Sequence, residues 1–328
     1  MPKITFLAEE KCVSSSIYGS IDSFSIANLW CSYLTKEDNK PLFETEIVTI
    51  DGKPVVGNGC AQIHPDKSIF DVKTTDIIMI PAFLPPFEFT NKRMEIIGKW
   101  LKEHYSNGIT IATTCTGTFL IAEIGLLKGK SATTNWMFAN IFKKKYPDVK
   151  LNISNMLTED EKIICTGSAT AFLNLCIYLI EKFGSKTLAI KCSKALLIDP
   201  SRQSQFPYME FDFWKNHNDI QILKAQKIME EHFKDDISID NIAENVGISS
   251  RHFKRRFKNA TSETPINYLQ KLRIEKAKQN LENSTISINE VIWQVGYEDV
   301  NSFRKLFRKH TGMSPKEYRK KFSFRYLY

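Results

Sequence analysis

The chain has 328 residues, 42% hydrophobic and 25% charged, which suits about two domains with separate cores and excludes wholesale disorder. No apolar run approaches the ~20 residues of a membrane span, and the start, MPKITFLAEEK, lacks a signal-peptide pattern, so a cytoplasmic protein with no membrane partner is expected. Seven cysteines with no Cys-x-x-Cys pair fit neither a disulfide framework nor a metal site. Of the net charge of +8, the stretch from Asp219 onward carries +7 and the rest +1, so a polyanionic partner is expected for the last third only.

Residues 1–197 alternate between two kinds of segment. Strands are expected at Ile4–Ala8, Phe43–Ile50, Asp76–Pro81, Ile109–Thr113, Lys150–Met156 and Ile163–Thr166. Helices are expected near Ile17–Tyr33, Asn91–Tyr105, Thr116–Ile124, Trp136–Lys145, Ala169–Phe183 and Ser185–Leu197. Short apolar runs such as IIMI and ITIAT are what strands covered on both faces require, so the alternation predicts an α/β domain with a largely parallel sheet. Residues 199–218, with Pro200, Ser201, Ser204 and Pro207, read as a connection. Beyond them only helical periodicity remains.

That last region contains an internal repeat. SIDNIAENVGISSRHFKRRFKNATSETP runs from Ser238 to Pro265, and SINEVIWQVGYEDVNSFRKLFRKHTGMSP from Ser287 to Pro315. Ile239, Ile242, Val246 and Gly247 match Ile288, Val291, Val295 and Gly296. After one extra residue in the turn, Phe253, Phe257, Thr261 and Pro265 match Phe303, Phe307, Thr311 and Pro315. Each copy reads as a short helix, a turn with a left-handed glycine, and a second helix capped by Ser249 or Asp299, the ingredients of a helix-turn-helix.

On each second helix the phenylalanines fall on one side and should pack inward. The opposite arc of the first carries Arg251, Lys254, Arg255 and Lys258. That of the second carries Asn301, Arg304, Lys305 and Arg308. These side chains can bond base edges and phosphates, so the repeat points to double-stranded DNA. Between the copies, Pro265–Glu282 reads as one helix of roughly 27 Å, a strut able to hold two reading helices near the ~34 Å spacing of successive major grooves.

Residues 220–328 resemble the AraC-type DNA-binding domain through this repeat and its NVGIS, QVGYED and GMSPKEYRKKF segments. The resemblance implies base contacts from Arg251, Lys254, Arg255, Asn301 and Lys305, and phosphate contacts from Ser302, Arg304 and Arg308. Residues 1–198 resemble the DJ-1/PfpI family, related to class I glutamine amidotransferases with a flavodoxin-like sandwich. The stretches SIDSFSIANLW, TTCTGTFLIAEIGLLKGKSATTNW and SRQSQF carry that likeness. Together they resemble the GlxA-type branch of AraC regulators. The implied organisation is a sensing and dimerisation domain over 1–198, a linker over 199–218 and a DNA-binding domain over 219–328. A homodimer, a small-molecule effector and RNA polymerase are the partners implied, and no cofactor is expected.

Cys115 follows a strand and precedes a helix, the setting of a nucleophile elbow, where a helix N-terminus would lower its thiol pKa. Thiol catalysis also needs a base and a group to orient it. Where enzymes of the resembled family carry histidine and an acid, this chain has Asn135 and Ser16. A regulator without catalysis is therefore expected, with Cys115, Thr116, Gly117, Asn135 and Ser16 around an effector pocket and the backbone amides of the turn free for a polar ligand. The alternatives are a cysteine-dependent amidase or glyoxalase, or a redox sensor, at Cys115.

Overall fold

The computed structural model describes residues 1–36, 41–87, 92–211, 213, 215 and 217–323. Contacts divide the chain into two units, Met1–Gln205 and Phe206–Tyr328. Asn91, where one helix was expected to begin, residues 212, 214 and 216 of the expected connection, and the last five residues lie outside the described ones.

In the first unit the elements follow in the order β1 (Lys3–Leu7), α1 (Ser15–Thr35), β2 (Glu44–Thr49), β3 (Val55–Val56), β4 (Gln62–Ile63), β5 (Lys67–Ser68) and β6 (Ile77–Ile80). Then come α2 (Lys92–Ser106), β7 (Thr110–Thr113), α3 (Gly117–Glu123), β8 (Ser131–Ala132), α4 (Ala139–Lys145), β9 (Lys150–Leu151), β10 (Leu157–Asp160), β11 (Ile163–Thr166), α5 (Ala171–Phe183) and α6 (Lys186–Ala195). Seven strands form one sheet in the order β10-β11-β7-β6-β1-β2-β5. Its pairs are parallel except the edge pair of β10 and β11. The central strands are apolar on both faces: Ile77, Ile78, Met79 and Ile80 are all buried, because helices cover both sides. Helix α1 lies so near α5 that a methyl group at Gly19 would come within 2.7 Å of the Phe172 ring. Its buried Ser20 and Ser23 hydroxyls are satisfied within the helix, donating to the Ser16 and Gly19 carbonyls, both at 2.7 Å.

One strand expectation needs correction. The stretch expected as Lys150–Met156 is extended only at Lys150–Leu151, which pairs with β8. The antiparallel edge strand lies further on, at Leu157–Asp160. Its sequence, LTED, faces neighbours on one edge only, so it never needed the apolar run that marks a central strand.

The residues read as a connection are also held differently. The segment up to Gln205 belongs to the first unit, where Asn155 and Ser204 form an isolated bridge and the Gln205 side chain is 1% exposed. From Phe206 the chain belongs to the second unit.

The second unit is helical: α7 (Ile220–Glu231), α8 (Ile239–Asn245), α9 (Ser250–Thr261), α10 (Pro265–Asn283), α11 (Ile288–Gln294), α12 (Val300–Thr311) and α13 (Pro315–Phe322). It has two cores. Ile222, Met229, Ile242, Phe253, Phe257 and Tyr268 build one, and Ile274, Leu281, Val291, Phe303, Phe307 and Tyr318 the other. Helix α10, about 28 Å long by its 19 residues, supplies Leu269 and Leu272 to the first and Ala277 to the second. Pro265 opens it and Thr264 caps it, accepting from the Asn267 amide.

Candidate nucleic-acid interface and the turn at Cys115

The glycines that end α8 and α11 fix where the reading helices start. Gly247 has φ +73° and Gly296 φ +80°, the left-handed conformation that closes a helix. Asp299 caps α12 by accepting from the Asn301 amide at 2.9 Å. Ser249 stands at the equivalent position of α9 but makes no cap bond with its side chain, contrary to the expectation.

Phe253 and Phe257 of α9, and Phe303 and Phe307 of α12, are fully buried. That orientation turns Arg251, Lys254, Arg255 and Lys258 outward on α9, and Asn301, Ser302, Arg304, Lys305 and Arg308 outward on α12, all exposed. Two of these cations have acidic neighbours: Lys254 lies 3.3 Å from Asp240, and Arg308 lies 3.7 Å from Glu317. Such exposed pairs are weak and screened, so they exchange readily for a phosphate. Arg256, the other cation of α9, points away from this edge. Its guanidinium holds Asp219 at 2.6 and 2.9 Å and keeps that carboxyl below its usual range.

Sequence reasoning missed a second layer of the repeat. The Tyr268 hydroxyl donates to Glu230 at 3.1 Å and the Tyr318 hydroxyl to Glu282 at 2.6 Å. Each tyrosine stands three residues after the proline that opens its helix, and each ring meets the phenylalanine of the reading helix before it. The signal was present in TPINY and SPKEY, three residues past the matched prolines.

In the first unit, Cys115 sits between β7 and α3 with φ +54°, a strained left-handed conformation for a residue with a side chain. The structure brings Asn135 to its sulfur, where it forms a hydrogen bond. It does not place Ser16 there by any contact: the Ser16 hydroxyl is buried and donates to the Val13 carbonyl at 2.7 Å. Burial raises the Cys115 thiol pKa, outweighing the hydrogen bonds from Asn135 and Thr116 that favour thiolate. The expectation of a lowered pKa is thus corrected: the side chain is 4% exposed, and desolvation acts against the charged form.

The free amides expected at this turn are corrected too. The Cys115 amide donates to the Thr166 carbonyl at 2.9 Å and the Gly117 amide to Thr114 at 2.8 Å. The Thr116 hydroxyl accepts from the Phe83 amide and donates to the Phe83 carbonyl. Gly117 packs so tightly that an added methyl would stand 2.5 Å from the Pro81 carbonyl. Nor does a histidine reach the thiol by its described bonds, since His104 bonds its own helix at the Trp100 carbonyl at 3.0 Å.

Comparison with known proteins agrees with both halves of this geometry. Residues 242–321 match the family described as helix-turn-helix domain, and residues 32–182 match the DJ-1/PfpI family. The HTH-type transcriptional regulator CdhR of Pseudomonas aeruginosa is 25% identical over 288 residues, covering 84% of this chain and 81% of that protein. An AraC family transcriptional regulator from Pseudomonas putida shares the fold over 60% of this chain and all of that one, with a TM-score of 0.50 and 16% identity. Drosophila melanogaster DJ-1beta does so over 60% of this chain and 98% of its own, with a TM-score of 0.50 and 17% identity.

A DJ-1/PfpI-type α/β domain joined to a double helix-turn-helix domain defines a DNA-binding transcription regulator. The chain joins a region that matches the DJ-1/PfpI family, residues 32–182, to a helix-turn-helix domain, residues 242–321, and is similar to HTH-type transcriptional regulators along most of its length.

Proposed function

We propose that α9 and α12 read successive major-groove segments of an operator, and that a small-molecule effector bound by the first unit controls this without catalysis. Arg251, Lys254, Arg255, Asn301 and Lys305 contact bases; Lys258, Ser302, Arg304 and Arg308 hold phosphates. The observation that carries the reading is the pairing of buried phenylalanines with nine exposed polar or basic residues on the opposite edges of two equivalent helices. A buried aromatic pair fixes each helix's rotation, so the outward arc is presented to one partner rather than shared among orientations.

The first unit senses rather than turns over substrate. A thiol whose pKa is raised by burial, with an asparagine at its sulfur, has neither the charge nor the base that nucleophilic catalysis needs. Among the described residues no helix is long and apolar enough to cross a membrane, which suits a protein working on cytoplasmic DNA. The working assembly is a homodimer at a promoter, acting on RNA polymerase, since two-fold regulators match two-fold operators.

The test is DNA affinity measured across salt concentration with operator and scrambled duplexes. Arg255→Ala and Lys305→Ala should each cost about 1–3 kcal/mol on the operator and relax specificity at one position. Arg304→Ala should weaken both duplexes alike and reduce the salt slope by about one. Unchanged operator affinity in both base-reading variants overturns the assignment. Turnover of an amide or α-oxoaldehyde that Cys115→Ala abolishes overturns the non-catalytic reading.

A further inference from the structure

We infer that the first unit binds a small monoanionic molecule with an apolar body, in a cleft walled on one side by the segment that leads into the DNA-binding unit. The inference deepens the effector-controlled reading above and moves the effector site away from the turn at Cys115. The cleft has a volume of about 410 Å³ and lies between α5, the start of β10 and residues 200–203. That volume is in the range of small-ligand sites.

Its chemistry names the ligand. Met156, Leu157, Ile177 and Pro200 give it an apolar lining, and Arg202 is the one cation among the described residues that line it. The Arg202 guanidinium is oriented by donating to the Thr170 hydroxyl at 3.2 Å, at the N-cap of α5. Arginine recognises a carboxylate by a planar, two-point hydrogen bond. Glu181, exposed on the same wall, repels a second negative charge. A monocarboxylate with an aliphatic body satisfies all three conditions, and a phosphate ester does not.

The wall at residues 200–203 is part of a strap. The Met156 amide donates to the Gln203 carbonyl at 2.9 Å, and the Gln205 amide to Ser154 at 2.7 Å. Beyond the cleft the Gln205 side chain locks the strap in place. Its Nε2 donates to the carbonyls of Thr134 and Ile153, both at 2.9 Å. It lies over Gly167 so closely that a methyl there would stand 2.1 Å from Nε2. The next residue, Phe206, begins the second unit. A ligand joining α5 to Arg202 therefore favours the docked strap, and its differential affinity for docked and released states is what shifts the population. Thr134 also donates to the Cys115 carbonyl at 2.9 Å, so the Gln205 lock rests on the loop that steadies the Cys115 turn.

The test uses the full-length protein with hexanoate, and hexanamide as the uncharged control. Calorimetry should give saturable hexanoate binding, with hexanamide about tenfold weaker or more. Hydrogen exchange should slow at the Met156 and Gln205 amides on adding hexanoate. Arg202→Gln should weaken hexanoate about tenfold. Leu157→Trp, at a half-exposed position of an edge strand, fills the cleft and should abolish binding while Arg202 stays intact. Gln205→Ala should still bind hexanoate, but its DNA affinity should no longer respond to it. No saturable binding, equal affinity for hexanamide, or unprotected strap amides each overturns the cleft. A chain that binds hexanoate and protects its strap yet binds no DNA leaves the cleft standing and overturns the regulator reading. DNA binding without hexanoate binding does the reverse.

Discussion

Phe257 meets Tyr268 with ring centroids 5.3 Å apart at 78° in the first helix-turn-helix, and Phe307 meets Tyr318 at 5.4 Å and 85° in the second. Thr261 and Thr311 both donate to the phenylalanine carbonyl four residues back, at 2.7 and 2.8 Å. The outward edges keep a cation at three equivalent positions but change its kind: Lys254 stands opposite Arg304, Arg255 opposite Lys305 and Lys258 opposite Arg308, while Arg251 stands opposite Asn301. Asp240, which approaches Lys254 and bonds Ser250, is matched in the second copy by the neutral Asn289. The frame is constrained by packing, where a methylene counts, and the edges are set by whatever sequence each helix faces. Two copies of one scaffold thus present a shared positive charge through different hydrogen-bond donors.

The largest expected effect tests whether the halves are separate. Phe257→Ala and Phe307→Ala should each cost about 3–5 kcal/mol, the usual loss for a buried aromatic. Because among the described residues the two cores share only α10 and Phe233, native-state hydrogen exchange should lose protection first in α8 and α9 for Phe257→Ala. For Phe307→Ala the first losses should fall in α11 and α12. Identical exchange patterns would mean one cooperative core.

The turn glycines sharpen the contrast. A methyl at Gly247 meets nothing within 4 Å, so Gly247→Ala should cost only the left-handed strain, about 1–2 kcal/mol. At Gly296 the same methyl would stand 2.4 Å from the Lys234 carbonyl oxygen, a backbone atom that cannot swing aside. Gly296→Ala should therefore cost roughly 1–3 kcal/mol more. Equal denaturation midpoints for the two variants would show that the Lys234 segment yields.

These differences mark where sequence reading stops. The reading helices and their outward residues were legible because a 3.6-residue period and a repeat determine which face is buried. Both copies read alike at their turns, since a glycine letter carries the left-handed conformation but not the carbonyl packed against it. The same limit explains Gln205, whose partners Thr134 and Ile153 are brought to it by the sheet. It explains the Cys115 pKa as well: the local sequence shows a helix following the thiol, and only the assembled fold shows how deeply it is buried. Strand β10 was missed for the opposite reason, its edge position relaxing the pattern that betrays a central strand.

Acid should separate the halves next. His310 stands where the first copy has Ala260. Burial, then the charges of Lys271 and Lys309 against the weaker pull of Glu263, lowers its pKa to about 4 from 6.5, and its ring packs edge-on against Phe211. With the folded value below the unfolded one, its share of stability is fully present above pH 6.5 and is lost as pH falls through 6.5 toward 4. The second core should lose exchange protection over that window while the first holds. His310→Ala should flatten the difference, and a wild-type second core indifferent to that acid range would sink the idea.

The smallest expected effect is a swap at the ends of the reading helices. Helix α9 closes on Ser262 with φ +62°, and α12 closes on Gly312 with φ +75°. The strain of a left-handed residue with a side chain is about 1–2 kcal/mol, against about 0.5–1 kcal/mol of extra chain entropy that a glycine loses on folding. Ser262→Gly should therefore stabilise the first half by about 0.5 kcal/mol. Gly312→Ser should destabilise the second by a similar amount, because the added atom meets only Phe206 at 3.9 Å, an ordinary contact. Neither residue lies on the outward arc, so operator affinity at a temperature well below unfolding should stay constant in both variants. A change in affinity without a change in midpoint would mean that the helix ends help set the angle at which the outward edges meet DNA.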